Sequence, residues 1–93
     1  MIEGPRIAAV AALIGDPARA NMLTALLDGR SLTASELAEA GGIALPTASG
    51  HLARLVEAGL LAVRKQGRHR YFRLADSDVA EALERLMSLA QRT

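Results

Sequence analysis

Apolar residues recur every three or four positions through most of this chain, and glycines and prolines punctuate the pattern. Ile7, Val10, Ala11 and Ile14 recur at helical spacing, Pro5 suits a first helical turn, and Gly15 is placed to end that helix. Asp16-Pro17 restarts it, with Asp16 as N-cap and Pro17 at the first position. Met22, Leu23, Leu26 and Leu27 form the buried stripe of this second helix, which Gly29 closes. Leu32 reads as a single strand-like residue. Thr33-Ala34-Ser35-Glu36 fits a capping box and predicts a short third helix over residues 34–40, with Leu37 inward. Gly41-Gly42 breaks it. A further helix over residues 45–58 has Pro46 in its first turn and Ala48, Leu52 and Leu55 inward, and Gly59 ends it.

The period then changes. Residues 60–65 and 69–74 are β-rich, and the tip Lys65-Gln66-Gly67-Arg68 joins them as a tight hairpin. Asp76 caps a last helix with Val79, Leu83, Leu86, Met87 and Ala90 on one side. Two short helices across a Gly-containing turn make a helix-turn-helix. Ala38 is small where the two must cross, and Gly42 lies in the turn, where positive φ is cheap.

Ninety-three residues is one domain's worth of chain. With one Tyr, one Phe and no Trp, its core must be aliphatic. The net charge of +1 hides an asymmetry: residues 51–75 carry six basic residues and one acid, Glu57, and the remainder is net −4. Between residues 60 and 75 there are five cations (Arg64, Lys65, Arg68, Arg70, Arg73) and no acid. Crowding like charges on a small hairpin gains no stability, but it does gain affinity for a polyanion. The absence of cysteine rules out disulfides, thiolate metal ligation and cysteine redox switching in these residues, and fits a reducing cytoplasm. Glu3 before the first short apolar run argues against a signal peptide, and no apolar run is long enough to span a membrane.

These features point to a DNA-reading helix followed by a basic wing. The outward face of the 45–58 helix is small and polar: Thr47, Ser49, Gly50 and Arg54. Small residues let a helix backbone approach the major groove, and Thr or Ser can bond to bases or phosphates. Leu45 and Pro46 begin that helix, where an apolar residue can also touch a thymine methyl. Arg64, Lys65, Gln66, Arg68, His69 and Arg70 form the wing's phosphate-facing set, with Arg68 placed to enter a minor groove. His51 lies beside the inward face, as a satisfied core or phosphate-facing histidine rather than a metal ligand. Tyr71 and Phe72 read as packing residues. Asp76, Asp78, Glu81 and Glu84 suit the start of a helix dipole. Ser49 and His51, two residues apart, do not face each other as a catalytic pair. There is no phosphate loop or zinc motif, so the expectation is a non-enzyme with no cofactor and no metal site.

The element order resembles the winged helix-turn-helix fold: mainly α, about five helices with a two-stranded β wing. Asp16-Pro17-Ala18-Arg19 with Met22-Leu23 and Leu26 resembles the second helix of the ArsR/SmtB family of bacterial repressors. Thr47-Ala48-Ser49-Gly50-His51-Leu52, then Leu55, Ala58-Gly59-Leu60, Gly67-Arg68 and Tyr71-Phe72-Arg73-Leu74, resembles that family's reading helix and wing. The resemblance covers nearly the whole of residues 1–93, taken as a single domain that an effector-binding portion could follow. It implies a cytoplasmic homodimer that binds an inverted-repeat operator in double-stranded DNA and represses transcription until an effector releases it. The family's dimer interface is built from the first and last helices, here Ile7, Val10, Ile14, Val79, Leu83, Leu86 and Met87. Metal-sensing relatives carry cysteines before the turn, where this chain has Glu36-Leu37-Ala38-Glu39, or Asp and His on the last helix, where it has no His. The alternative reading is a winged-helix protein–protein module docking through the same terminal helices, which has no need of a basic wing.

Overall fold

The computed structural model describes residues 4–92. The elements run α1 (Gly4–Gly15), α2 (Pro17–Thr24), β1 (Leu32–Thr33), α3 (Ala34–Gly41), α4 (Leu45–Glu57), β2 (Leu61–Gln66), β3 (His69–Leu74) and α5 (Ser77–Ala90). This is the winged helix-turn-helix architecture: five helices with a small antiparallel sheet.

Local chemistry sets most helix starts. The Asp16 carboxylate accepts the Arg19 N–H at 3.0 Å, with Pro17 in the first turn of α2. Asp76 does the same for Val79 at the start of α5. At α3 the capping box is complete: Thr33 Oγ1 accepts the Glu36 N–H at 3.2 Å, and Glu36 Oε1 accepts the Thr33 N–H at 2.9 Å. α4 differs, because Ala44 offers no side-chain oxygen to cap it.

The second helix is shorter than its apolar stripe predicts. After Thr24 the backbone tightens, with the Leu26 N–H bonding to Leu23 O at 3.0 Å and the Leu27 N–H to Thr24 O at 3.1 Å. Three residues per turn stack i over i+3, so Leu26 stays under Leu23 and is buried, while Leu27 is only half-buried. The stripe holds although the α-helix does not.

The core is aliphatic, as composition requires. Met22, Leu23, Leu26, Leu37, Leu52 and Leu55 are its largest fully buried side chains. Each such side chain contributes about 1.5–3 kcal/mol relative to exposure. Ala48, Leu52 and Leu55 therefore hold α4 firmly by one face and leave the other to solvent. Gly41 packs α2 against α3: a Cβ there would lie 3.1 Å from Met22 Cγ and 3.3 Å from Ala18 O. Gly42, at φ 68°, turns the chain in the left-handed conformation that side chains disfavour.

The sheet has the order β1-β3-β2, all antiparallel. The wing itself is the β2–β3 pair, and the strand-like Leu32 extends to a third strand through Leu32↔Phe72 and Thr33↔Tyr71. Gln66 pairs with His69, so the turn is the two residues Gly67-Arg68, with positive φ at Gly67 alone. That matches a hairpin turn with Gly at its first central position. Thr33 is at once a strand residue and the cap of α3, so the start of α3 is tied to the wing. No helix among the described residues is long and apolar enough to cross a membrane.

Candidate nucleic-acid interface

The exposed side of α4, the start of α3 and the wing enclose an open concavity of about 810 Å³. Leu45 and Ser49 of α4 line it from one side, and Arg68, His69 and Arg70 from the other. Thr33 and Ser35 close the end. Of the residues expected to meet DNA, all but His51 are exposed.

Strand alternation sorts the wing cations. Leu61 and Phe72 are buried, so the face they share with Val63, Lys65 and Arg70 is the one turned to the core and the concavity. Arg64 and Arg73 lie on the other face. Lys65 stands directly opposite Arg70. Like charges across a ladder destabilise a hairpin, and the acid–base contacts among the described residues, Arg30–Asp28 and His51–Asp16, include neither. Arg73 is differently employed: its guanidinium donates to Leu74 O at 3.2 Å and Ala75 O at 3.4 Å, tying down the end of the wing.

Gly50 is mid-helix on α4, and a Cβ added there would meet nothing within 4 Å. The fold has no need of glycine at this position. Glycine within a helix costs about 0.5–1 kcal/mol relative to alanine, and packing within the domain does not account for it.

The sequence reading missed several residues of the concavity. Ser35 enters because the Thr33 cap is also strand-paired, a tertiary fact. Ala53 was legible in principle, lying one helical turn beyond Ser49. Glu57 brings a carboxylate into the same concavity, opposite Arg68 and Arg70.

Of the expected residues, Leu45, Ser49, Arg68, His69 and Arg70 line the concavity; Pro46, Thr47, Gly50, Arg64, Lys65 and Gln66 are exposed but do not line it, and His51 and Arg54 lie elsewhere. Arg54 lines a separate groove between α4 and α1, with Ala9, Ala12, Leu13 and Arg19. The His51 ring is half-buried, its Nδ1 2.8 Å from Arg19 Nη1 and its Nε2 4.0 Å from an Asp16 carboxylate oxygen. The Arg19 backbone N–H holds the Asp16 carboxyl below its usual range, outweighing partial burial, and the Arg19 charge assists.

Comparison with known proteins agrees with this geometry. Residues 14–64 match the helix-turn-helix domain family. The uncharacterised HTH-type transcriptional regulator YdfF of Bacillus subtilis is 49% identical over 88 residues, which are 95% of this chain and 39% of YdfF. The HTH-type transcriptional regulator CmtR of Mycobacterium tuberculosis is 37% identical over 76 residues, 82% of this chain and 64% of CmtR. The chain thus spans about two-fifths of the one relative and just under two-thirds of the other. Among solved structures, the winged helix-turn-helix DNA-binding domain of Mb0332 from Mycobacterium bovis superposes with a TM-score of 0.81 at 30% identity, over 94% of this chain and 80% of that one. That domain is homodimeric and is described as a possible ArsR-family transcriptional regulator.

The chain belongs to the ArsR/SmtB-type winged helix-turn-helix family.

Members of this family are transcriptional regulators, not enzymes. The apolar residues expected at a dimer interface lie on α1 and α5, and the structure separates them into two groups. Leu83 is in the core, and Ile14 and Val79 are half-buried against it. Ile7 is 70% exposed and Leu86 45%, and Val10 and Met87 are exposed as well. Leu89, which the sequence reading passed over, joins them at 51%. Small apolar hollows open beside them, one lined by Val10, Ile14, Val79 and Leu83, another by Ile14, Leu86, Met87 and Ala90.

Proposed function

We propose that these residues form the DNA-binding domain of a dimeric, sequence-specific transcriptional repressor that an effector releases from its operator. α4 enters the major groove, with Thr47, Ser49 and Gly50 nearest the base edges and Leu45 and Pro46 at the leading end. The wing, through Arg64, Lys65, Gln66, Arg68, His69 and Arg70, holds flanking phosphates. Ser35 and Ala53 join this surface. Two copies pair through the exposed residues of α1 and α5, giving a two-fold that matches an inverted repeat.

The observation that carries this reading is Lys65 opposite Arg70 at the end of the wing, with Arg68 and Arg70 lining the concavity beside α4. Such a juxtaposition is unfavourable within the domain and favourable against a phosphate chain. The homodimeric Mb0332 domain supports the dimer. Because the chain lacks cysteine, release through a thiol or a thiolate-bound metal has no ligand in these residues.

Selection of bound DNA from a random pool tests the proposal, followed by titration of the recovered sequence at several salt concentrations. An inverted repeat is expected. Lys65→Ala and Arg70→Ala should weaken binding to every sequence and reduce the salt slope by roughly one unit per lost phosphate contact. If the pool yields no consensus and the wing variants leave the slope unchanged, the basic hairpin is a solvated surface and the protein-docking alternative takes its place.

A further inference from the structure

A single guanidinium spans three helices behind α4. Arg19 rises from the first turn of α2, and its Nε donates to Leu13 O at 2.7 Å. Its Nη2 donates to Ala12 O at 3.3 Å. Both carbonyls belong to the last turn of α1, where carbonyls have no partner within the helix. The third arm, Nη1, reaches His51 Nδ1 on α4 at 2.8 Å. Arginine can only donate, so Nδ1 must be the acceptor and the ring proton sits on Nε2, on the Asp16 side.

Beside this bridge, α1 and α4 are held apart by the groove of about 470 Å³ that Ala9, Ala12 and Leu13 line on one side and Arg54, Glu57 and Ala58 on the other. Arg19 lines it too and links its two walls. The core fixes the depth of α4 through Ala48, Leu52 and Leu55, all on one face. The Arg19–His51 hydrogen bond adds a second attachment, to α1 and α2, that limits how far α4 can tilt or roll on that packed face.

We propose that Arg19 and His51 form a positioning joint that locks the reading helix to α1 and so sets the distance between the two reading helices of the dimer. The inference rests on the proposed function, in which α1 belongs to the dimer seam and α4 reads DNA. In such a dimer any tilt of α4 relative to α1 is doubled by the two-fold. Half-sites must lie roughly 34–36 Å apart, one turn of DNA, so the joint acts on spacing rather than on the reading of one half-site. His51 then serves recognition through Arg19, without touching a phosphate itself.

The test pairs two measurements. The first is the imidazole ¹⁵N spectrum of the free protein, which should show the Nε2–H tautomer in wild type and a mixture in Arg19→Ala. The second is binding to inverted repeats whose half-site spacing is varied one base pair at a time. Wild type should prefer one spacing. Arg19→Ala and His51→Leu should cut that preference by about tenfold, the worth of one charge-assisted hydrogen bond. Affinity for a single half-site should stay within about twofold. His51→Asn, which offers an acceptor oxygen near the place of Nδ1, should retain the preference. Should Arg19→Ala fail to fold, Arg19→Lys takes its place, since one ammonium cannot reach all three acceptors.

Variants that keep the wild-type spacing preference would overturn the joint and leave the DNA-binding reading intact. Equal losses on single half-sites and on full operators would also overturn it. A wild type with the expected tautomer but no spacing preference would place the failure in the dimeric operator reading, and the joint's role would fall with it.

Discussion

Replacing Gly50 with alanine should make the protein more stable and a worse DNA binder. In the free domain the new methyl group projects from the exposed side of α4 and meets no heavy atom within 4 Å. The gain is therefore the helix-propensity difference alone, about 0.5–1 kcal/mol. For a domain of this size that corresponds to a rise in melting temperature of roughly 2–8 °C. In the complex, the same methyl stands where the proposed groove wall comes closest. Forcing an added carbon into a packed contact costs about 1–3 kcal/mol, which is a loss of affinity of roughly five- to 150-fold. Thermal melting followed by circular dichroism reads the first effect, and fluorescence anisotropy on the selected operator reads the second. A more stable Gly50→Ala that binds the operator as well as wild type would refute the close approach of α4 at this turn. A less stable one would refute the open surroundings on which the magnitude rests.

Gly41→Ala should do the opposite, because its Cβ would press on Met22 Cγ and on the Ala18 carbonyl oxygen; a loss of about 1 kcal/mol in urea unfolding is expected, and no change would mean α2 and α3 are not so close. Leu86→Asp should leave the monomer folded, since that side chain is already 45% exposed, and should dissociate the dimer in sedimentation; a dimer that survives removes α5 from the interface. The backbone N–H of Thr33, followed by its hydroxyl, holds the Glu36 carboxyl below its ordinary value of 4.5. A carboxyl lowered in the folded state stabilises fully above that value, and the stabilisation is lost as pH falls through the lower folded value. Acid unfolding of Glu36→Gln should accordingly be less steep in that window, and an unchanged profile would show that the capping box does not titrate with folding.

The elements that the sequence alone determined are those set by near neighbours. Asp16, Asp76 and the Thr33–Glu36 box each act within three residues, so their residue types suffice to place the starts of α2, α5 and α3. The inward positions Ala48, Leu52 and Leu55 followed from helical period, and the hairpin from Gly67 between two β-rich runs. The candidate DNA surface was legible to the same extent: the exposed side of one helix and the cations of one hairpin.

Tertiary structure decided what depends on distant partners. The early end of α2 is one case, since the i→i+3 turn that follows is chosen for burying Leu26 in a core the local sequence does not reveal. The pairing of β1 with β3 is another; it joins residues about forty apart and brings Ser35 to the concavity. His51 shows the limit most plainly. Its position beside the inward face was evident, yet its partner Arg19 lies 32 residues earlier, and no local rule selects one arginine among eleven basic residues. Caps and periodicity are energies of neighbouring residues along the chain. Which cation meets which ring is settled only when the core has set the helices side by side.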